Sequence, residues 1–203
     1  MSAGRRQILF YGDSNTYGYD PADKYENRYP ENARWIDILS KELSDEWTVF
    51  ADSMNGRRIP DLPYDTDRIN RMLGRLKTRG MLAVMLGTND ILLTRKPDAV
   101  IAIQKMASFL SYLCIQKRPE DILVIAPPYI ASENTADPLY RRYYEESLKM
   151  NEGFCYLAKT YEIGFLDAGP WNVPLCFDMV HFSEKGHQLF SEKIEGYLKG
   201  MQS

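Results

Sequence analysis

Two runs of the sequence are apolar at every position, and they constrain the fold more than any other feature. Met81 to Leu86 reads MLAVML, and Ile122 to Ala126 reads ILVIA. An unbroken apolar run of this length is typical of a strand that is buried on both faces, and such strands occur in parallel sheets covered by helices. The two runs therefore predict an α/β domain with a helical layer on each side of its sheet.

The remainder of the chain alternates between strand-like and helical patterns. Three more short apolar runs predict strands, namely Ile8 to Tyr11, Trp47 to Ala51 and Ile163 to Leu166. Helical spacings separate them, with predicted starts at Asn32, at Asp65 or Thr66, after Pro97 and at Ser183, and a further helical pattern from Tyr143 to Tyr161. Five strands alternating with helices predict one domain, residues 1–203, in which right-handed crossovers bring all strand C-termini to one edge.

Charge and cysteine usage exclude several classes of function. The net charge of −3 argues against a surface for nucleic acid or for an anionic membrane. The three cysteines have no CxxC spacing, so the sequence predicts neither a disulfide framework nor a zinc site. The polar stretch from Met1 to Gln7 is followed by only four apolar residues, too few for a signal-peptide core or a membrane span. We expect a cytoplasmic protein without a metal or cofactor.

Polar residues follow several predicted strands and would meet at the common edge. Ser14 comes directly after the first strand, Gly56 follows the second and Asn89 follows the third. A serine hydroxyl is a weak nucleophile until a base removes its proton, and histidine is the natural base near neutral pH. His181 stands before the last helix, three residues after Asp178, close enough for the carboxylate to reach the imidazole.

Each of these residues also has a plain structural interpretation. His187 lies on the apolar face of the last helix and is expected in the core, while Asp178 and His181 are compatible with an Asx-type turn. Gly56 is compatible with an Asn-Gly turn, and Asn89 with another Asx turn. An acyl-transfer site would instead use the N–H groups of Ser14 and Gly56 and the Asn89 amide as donors to an oxyanion. Asp13 is expected to hold the loop backbone in place.

Four blocks of the sequence resemble, in order and spacing, those of the SGNH (GDSL-like) hydrolases. They are Gly12-Asp13-Ser14-Asn15, Gly56, Gly87-Thr88-Asn89-Asp90 and Asp178-Met179-Val180-His181. The first, third and last blocks are specific, whereas the second is little more than a glycine. The run from Ala33 to Leu39 also resembles the arylesterase-type branch. The resemblance covers nearly the whole chain.

The resemblance implies a flavodoxin-like three-layer α/β/α fold and a serine esterase. By it Ser14 is the nucleophile, His181 the base and Asp178 its partner, while Ser14, Gly56 and Asn89 form the oxyanion hole. Two positions depart from the family pattern. Asn15 replaces the leucine of the GDSL name, which leaves the serine in place. Asp52 replaces the asparagine that usually opens the second block, which puts the support beneath Gly56 in question.

The substrate is less defined than the reaction. A small-molecule ester with a short, acetyl-like acyl group is favoured, because the chain has neither a secretion signal nor a long apolar lid. The residues predicted to line the pocket are Tyr17, Tyr19, Tyr129, Trp171 and Phe177, with Asp13. Arg57 and Arg58 are interpreted as a solvated charged surface, with attraction of an anionic leaving group as the alternative. A thioesterase or lysophospholipase of the same family and a non-catalytic flavodoxin-like binding module remain as alternatives. A homo-oligomer is a further expectation, since the arylesterase-like branch often assembles.

Overall fold

This computed structural model describes residues 5–25, 27–76 and 80–201, and within them five parallel strands form one sheet in the order β2-β1-β3-β4-β5. The strands are β1 (Arg6–Gly12), β2 (Trp47–Ser53), β3 (Met81–Met85), β4 (Ile122–Ala126) and β5 (Gly164–Asp167). The parallel flavodoxin-like order that the sequence predicts is confirmed, and β3 and β4 are buried at every residue.

Helices cover both faces of the sheet and complete a three-layer α/β/α sandwich. They are α1 (Ser14–Tyr17), α2 (Trp35–Glu42), α3 (Thr66–Leu73), α4 (Thr88–Leu92), α5 (Ala99–Gln116), α6 (Pro138–Thr160) and α7 (Glu184–Gly200). One apolar layer joins the sheet to α2 and α7, and the other joins it to α3, α5 and α6. Alternate residues of β1 point into opposite layers, Phe10 towards α2 and α7 and Leu9 towards α5 and α6, as the pleat of a strand requires.

Three helix predictions differ from the structure in their bounds or their buried face. Asn32 does not cap α2, because Glu31–Ala33 forms a 3₁₀ turn and the extended Arg34 delays the helix to Trp35. The helix predicted at Asp65 or Thr66 ends at Leu73, so Leu76 lies beyond it. On α5 the predicted face included Val100, which is 55% exposed, because a helix that is apolar on most sides does not reveal its buried stripe by spacing alone.

The apolar composition of helix α5 is also compatible with a membrane-spanning helix. By length and composition alone it could cross a membrane, with a mean hydropathy of 1.3 over 18 residues. Its residues Ala102, Met106 and Phe109 are buried in the core against the sheet, and 33% of the helix is buried in all. The prediction that no signal peptide precedes β1 concerns residues 1–4 in part, and these lie outside the described residues.

The strand order creates a switch point at β1, where the functional loops meet. The chain passes from β1 to β2 on one side and later to β3 on the other, so the loops after these strands diverge around the end of β1. Ligands of open parallel sheets bind in the crevice that such a divergence leaves. Ser14 follows β1, Gly56 follows β2 and Asn89 follows β3, which places the predicted groups at this crevice.

Candidate active site

Ser14 is the first residue of α1, directly after the turn that ends β1. The turn is tight: a Cβ on Gly12 would lie 2.0 Å from the Thr16 hydroxyl, so only glycine fits there. Asp13 caps the helix, with a carboxylate oxygen accepting from the Asn15 N–H at 3.0 Å. The Ser14 N–H lies in the first turn of this helix, where N–H groups have no intrahelical acceptor.

The Ser14 hydroxyl lies next to an imidazole that is itself held by a carboxylate. His181 Nε2 is 3.0 Å from Ser14 Oγ, and His181 Nδ1 is 2.6 Å from Asp178 Oδ2. The second oxygen of Asp178 accepts the backbone N–H groups of Val180 and His181, each at 3.0 Å. Burial raises the pKa of Asp178, but the hydrogen bonds from the His181 side chain and from these two N–H groups outweigh it and lower the pKa below its usual value.

This arrangement selects one tautomer of His181. An ionised carboxylate only accepts hydrogen bonds, so Asp178 requires a proton on Nδ1. The lone pair of Nε2 then faces the Ser14 hydroxyl and is able to take its proton. The oxygens of Asp13 accept from the Asn15 N–H and from the Asn89 amide. Within residues 5–25, 27–76 and 80–201, no group of three or more His, Cys, Asp or Glu side chains is arranged to hold a metal ion.

Asn15 connects the nucleophile to the histidine loop. Its amide nitrogen donates to the carbonyl of Val180 at 3.1 Å, and its amide oxygen accepts the N–H of Phe182 at 2.9 Å. These partners are the two neighbours of His181. Trp35 Nε1 fixes the Asn15 backbone by donating to its carbonyl at 2.9 Å. The departure from the GDSL pattern at this position therefore leaves the serine in place and also connects it to the loop that carries His181.

Gly56 and Asn89 lie on the other side of the crevice. Gly56 has a φ of +70° in an exposed turn that is closed by the Arg57 N–H donating to the Met54 carbonyl at 3.2 Å. The Asn-Gly turn that the sequence leaves open is therefore present, and it holds the Gly56 backbone near the end of β1. Asn89 is buried, and its Nδ2 donates to the Arg57 carbonyl at 3.1 Å, with Asp13 Oδ2 at 3.4 Å.

The interpretation of Arg57 as a solvated charge is wrong, whereas Arg58 is exposed as expected. Arg57 is 4% exposed, with its guanidinium 4.3 Å from the Tyr11 ring centroid and bonded to the Asp52 carboxylate at 2.6 Å. Asp52 also binds Arg68 at 2.8 Å, so the second departure from the family pattern is a paired carboxylate. No local signal distinguishes Arg57 from Arg58, because its burial depends on partners from β1 and β2.

Asp13 is a buried carboxylate beneath the nucleophile. Burial is the main cause that raises its pKa to about 6, and the Asn15 N–H, the charge of His181 and that of Arg57 each lower it in part. Its contacts are with loop backbone and with the Asn89 amide, as the sequence analysis expected of a residue that holds the loop. At 3% exposure it offers little surface to a substrate.

The residues predicted to line a pocket are divided between different surroundings. Tyr129 lines a cavity of about 540 Å³ with Tyr144, Asn172 and Met179. Trp171 instead packs on Phe190, with ring centroids 5.4 Å apart.

Tyr17 is covered by the Arg28 guanidinium at 4.2 Å. Tyr19, another of the residues predicted to line the pocket, contacts the His181 ring at a centroid distance of 4.7 Å, whereas Phe177 is 76% exposed.

The 540 Å³ cavity and the triad are neighbours rather than one space. Ser14, His181 and Asn89 do not line it, but Met179 does, and Met179 stands between Asp178 and Val180. The loop after β4 closes onto this segment through the Ala131 N–H, which donates to the Met179 carbonyl at 2.8 Å. The cavity therefore lies against the wall formed by the catalytic loop, at the ends of β4 and β5.

Comparison with known proteins agrees with this geometry. The model of the GDSL-like Lipase/Acylhydrolase family matches residues 10–189, a range that contains all four sequence blocks. No curated protein matches the chain by sequence.

Several solved structures share the whole fold. A carbohydrate acetylesterase family member from Sinorhizobium meliloti is 25% identical, with a TM-score of 0.77 and coverage of 97% of this chain and 98% of its own. Est24, a carbohydrate acetylesterase from the same organism, is 23% identical, with a TM-score of 0.76 and coverage of 97% and 100%. The aryl esterase of M. smegmatis is 21% identical, with a TM-score of 0.77 and coverage of 96% and 99%.

The family match spans most of the chain, and the fold and the order of the blocks agree with it. The chain belongs to the GDSL-like lipase/acylhydrolase family, the SGNH hydrolases, and is a carboxylic ester hydrolase.

Proposed function

We propose that the protein is a serine esterase that hydrolyses short-acyl esters through an acyl-enzyme on Ser14. The observation that carries the proposal is the chain of two hydrogen bonds from Ser14 Oγ to His181 Nε2 at 3.0 Å and from His181 Nδ1 to Asp178 at 2.6 Å. A nucleophile, a base and an orienting carboxylate in this order are the parts that acyl transfer to serine requires.

The reaction runs in two halves on the same groups. Ser14 Oγ attacks the ester carbonyl while His181 takes the hydroxyl proton, and Asp178 stabilises the imidazolium that forms. The oxyanion receives hydrogen bonds from the N–H groups of Ser14 and Gly56 and from the Asn89 amide. His181 then protonates the leaving alcohol. In the second half water replaces the serine hydroxyl, and its attack releases the acid and restores Ser14.

The surroundings of the triad favour a small acyl group and a larger polar alcohol. Asp13 and Asn89 are buried and hydrogen-bonded to each other, and a short acyl group needs the least room beside them. The neighbouring cavity presents the rings of Tyr129 and Tyr144 and the polar side chains of Ser132 and Asn172. Aromatic faces with hydrogen-bonding groups suit a hydroxylated or aromatic alcohol portion better than a lipid. The acetylesterase and aryl esterase among the similar structures act on such esters by their names, which is consistent with this proposal.

Replacing Ser14 with alanine tests the mechanism. We expect turnover of a chromogenic acetate ester to fall by roughly four or more orders of magnitude, because the hydroxyl that His181 contacts is removed. A fluorophosphonate should label Ser14 in the parent protein and leave the variant unlabelled, as read by mass spectrometry. Ser108→Ala on the exposed face of α5 is the matched control. Unchanged turnover in Ser14→Ala would overturn the serine mechanism.

A panel of esters tests the substrate class. With a constant alcohol, we expect kcat/KM to decrease steadily from acetyl to octanoyl esters. With a constant acetyl group, sugar and aryl alcohols should give a lower KM than ethanol, and Tyr129→Ala should reduce that advantage. A preference for long acyl chains would refute the short-acyl proposal.

The free cysteines Cys114, Cys155 and Cys176 are consistent with the proposed cytoplasmic location.

A further inference from the structure

Arg57 is a buried cation whose contacts join three elements around the proposed oxyanion hole. Its Nη2 binds the Asp52 carboxylate at 2.6 Å, its Nη1 donates to the Gly12 carbonyl at 3.0 Å and to the Asp52 carbonyl, and its plane covers the Tyr11 ring. Its own carbonyl accepts from Asn89. A buried charge requires this many partners to offset its desolvation, so the side chain has one well-defined position.

The carbonyl of Gly12 is the point at which the Gly56 turn is attached to β1. It accepts the N–H of Met54 at 3.4 Å and Nη1 of Arg57 at 3.0 Å, which come from the first and last residues of that turn. Gly12 is two residues before the nucleophile. The two bonds therefore set the position of the Gly56 N–H relative to Ser14, although Gly56 itself is exposed and has no packing neighbour at its Cβ position.

The carbonyl of Arg57 determines the orientation of the Asn89 amide. Carbonyl and carboxylate oxygens only accept, so Nδ2 rather than Oδ1 of Asn89 must face Arg57 and Asp13. One N–H of the planar amide is used at 3.1 Å by the Arg57 carbonyl, and the other faces Asp13 Oδ2. The contact with Asp13 is long, 3.4 Å, so this second N–H is the one available to a developing oxyanion.

We propose that Arg57 is a positioning residue that holds two oxyanion donors, the Gly56 N–H and the Asn89 amide, in register with Ser14. The inference rests on the proposed serine mechanism. Arginine suits the task because its planar fork reaches two acceptors and stacks on an aromatic ring at the same time, which the single ammonium of lysine does not do. Arg57 does not touch the reacting atoms and acts through the groups it holds.

Arg57→Met is the primary test. We expect kcat for an acetate ester to fall by about tenfold to a hundredfold with KM within about threefold, because oxyanion donors act on the transition state more than on the bound ester. Arg57→Lys should recover only part of kcat. Asp52 keeps its bond to Arg68 in these variants, so no carboxylate is left unpaired.

Two neighbouring arginines serve as matched controls. Arg68 shares Asp52 Oδ1 with Arg57 but has a side chain that is 43% exposed, and Arg58 bonds to the Leu93 carbonyl from the surface. Arg68→Met and Arg58→Met should each leave kcat within about twofold. If Arg68→Met lowers kcat as much as Arg57→Met, the general charge balance of the loop is responsible and the proposal is wrong.

A double-mutant cycle separates positioning from a purely structural role. If Arg57 acts through Asn89, the Arg57→Met change should cost at least threefold less in kcat when Asn89 is already alanine. Fully independent effects would overturn the proposal. Should Arg57→Met not fold, Asp52→Asn provides the second route. It removes the charge that holds the guanidinium and should lower kcat in the same non-additive way with Asn89→Ala, whereas additive losses would count against Arg57.

Failure of this inference can be told apart from failure of the proposed function. Full activity of Ser14→Ala would remove the serine mechanism itself. An inactive Ser14→Ala together with a fully active Arg57→Met would leave the mechanism intact and refute only the positioning role.

Discussion

The two histidines lie six residues apart in the chain and occupy opposite environments. His181 is in a loop at the edge of the sheet, with both ring nitrogens bonded, one to Ser14 and one to Asp178. His187 is in α7 with no exposed surface, and only its Nδ1 has a partner within residues 5–25, 27–76 and 80–201, the Trp35 N–H at 3.4 Å. The rings of Tyr29 and Phe182 pack against it.

The difference shows that the partners and the position of an imidazole decide whether it is able to accept a proton from a neighbouring hydroxyl. Burial is the main cause that lowers the pKa of His187 to about 3, with smaller contributions from the charges of Arg34 and His181. His187 is therefore neutral near pH 7 and acts as a core aromatic. His181 is tied to a carboxylate and faces a hydroxyl at a crevice that substrate can reach. Substitutions around His181 should accordingly change kcat, whereas substitution of His187 should change stability in acid.

The largest expected effect is at the carboxylate that distinguishes His181. In Asp178→Asn the amide oxygen should replace Oδ1, which accepts the N–H groups of Val180 and His181, and the NH₂ should then face His181 Nδ1. That NH₂ favours the tautomer with a proton on Nε2, which is unable to accept from Ser14. We expect kcat to fall by about four orders of magnitude with little change in the melting temperature. His187→Leu is the comparison, and a kcat loss there similar to that of Asp178→Asn would refute the contrast.

The next effect concerns His187 and acid stability. The unfolded chain takes up this proton near pH 6.5 and the folded chain only near pH 3, so stability is lost as the pH falls between these values. Between pH 7 and pH 4 the parent protein should lose about 3 kcal/mol of unfolding free energy more than His187→Leu. Urea unfolding at several pH values measures it. Gln188→Leu, on the exposed side of α7, should not alter the pH slope, and equal slopes for parent and His187→Leu would contradict the assignment.

Asp13 should show the opposite pH slope at the catalytic edge. Its folded pKa of about 6 lies above the ordinary value of 3.8 for an aspartate, so the folded state holds the proton more tightly and loses stability as pH rises through this window. Asp13→Asn keeps a cap for the Asn15 N–H. Relative to this variant, the parent should lose about 2 kcal/mol of unfolding free energy between pH 4 and pH 7. Asp98→Asn at the start of α5 is the control, and a parent protein that gains stability over that range would refute the prediction.

The smallest effect concerns the two hydrogen bonds from Asn15 to the loop that carries His181. Asn15→Leu restores the residue of the GDSL name but removes the bonds to Val180 and Phe182 on either side of His181. We expect kcat to fall about tenfold, since two bonds that fix the base are lost, while KM changes little. Asn15→Asp keeps the acceptor for the Phe182 N–H, and its kcat should lie between those of the parent protein and Asn15→Leu. An Asn15→Leu protein with normal kcat would show that the loop holds His181 in place without these two hydrogen bonds.

Local signals predicted most of the framework. The apolar runs at Met81 and Ile122 indicated buried parallel strands, and Ser183 caps α7 through its hydroxyl as expected. Ser14, Asp178 and His181 were selected because serine, carboxylate and imidazole at strand ends form a known chemical set, and the fold brings them within hydrogen-bonding distance. Their catalytic roles stay predictions until the variants are measured.

Residues whose function depends on distant partners were beyond those signals. Arg57 and Arg58 look alike in sequence, yet only Arg57 is buried, because Gly12, Tyr11 and Asp52 surround its guanidinium. Asn15 was known only as a variation beside the nucleophile, and its partners lie 165 and 167 positions away. The buried face of α5 was misassigned at Val100 because hydrophobicity on most sides of a helix carries no directional information.

The sequence by itself predicted the fold class and the number of strands, because periodicity is a local property, and it selected Ser14, His181 and Asp178 as candidates by their residue chemistry. Tertiary structure decided which histidine has partners, which arginine is buried and how Asn89 is oriented. These depend on the convergence of β1, β2, β3 and the catalytic loop at one edge of the sheet. A charge or an amide acquires its role from the groups that surround it, and those groups are adjacent only in the folded chain.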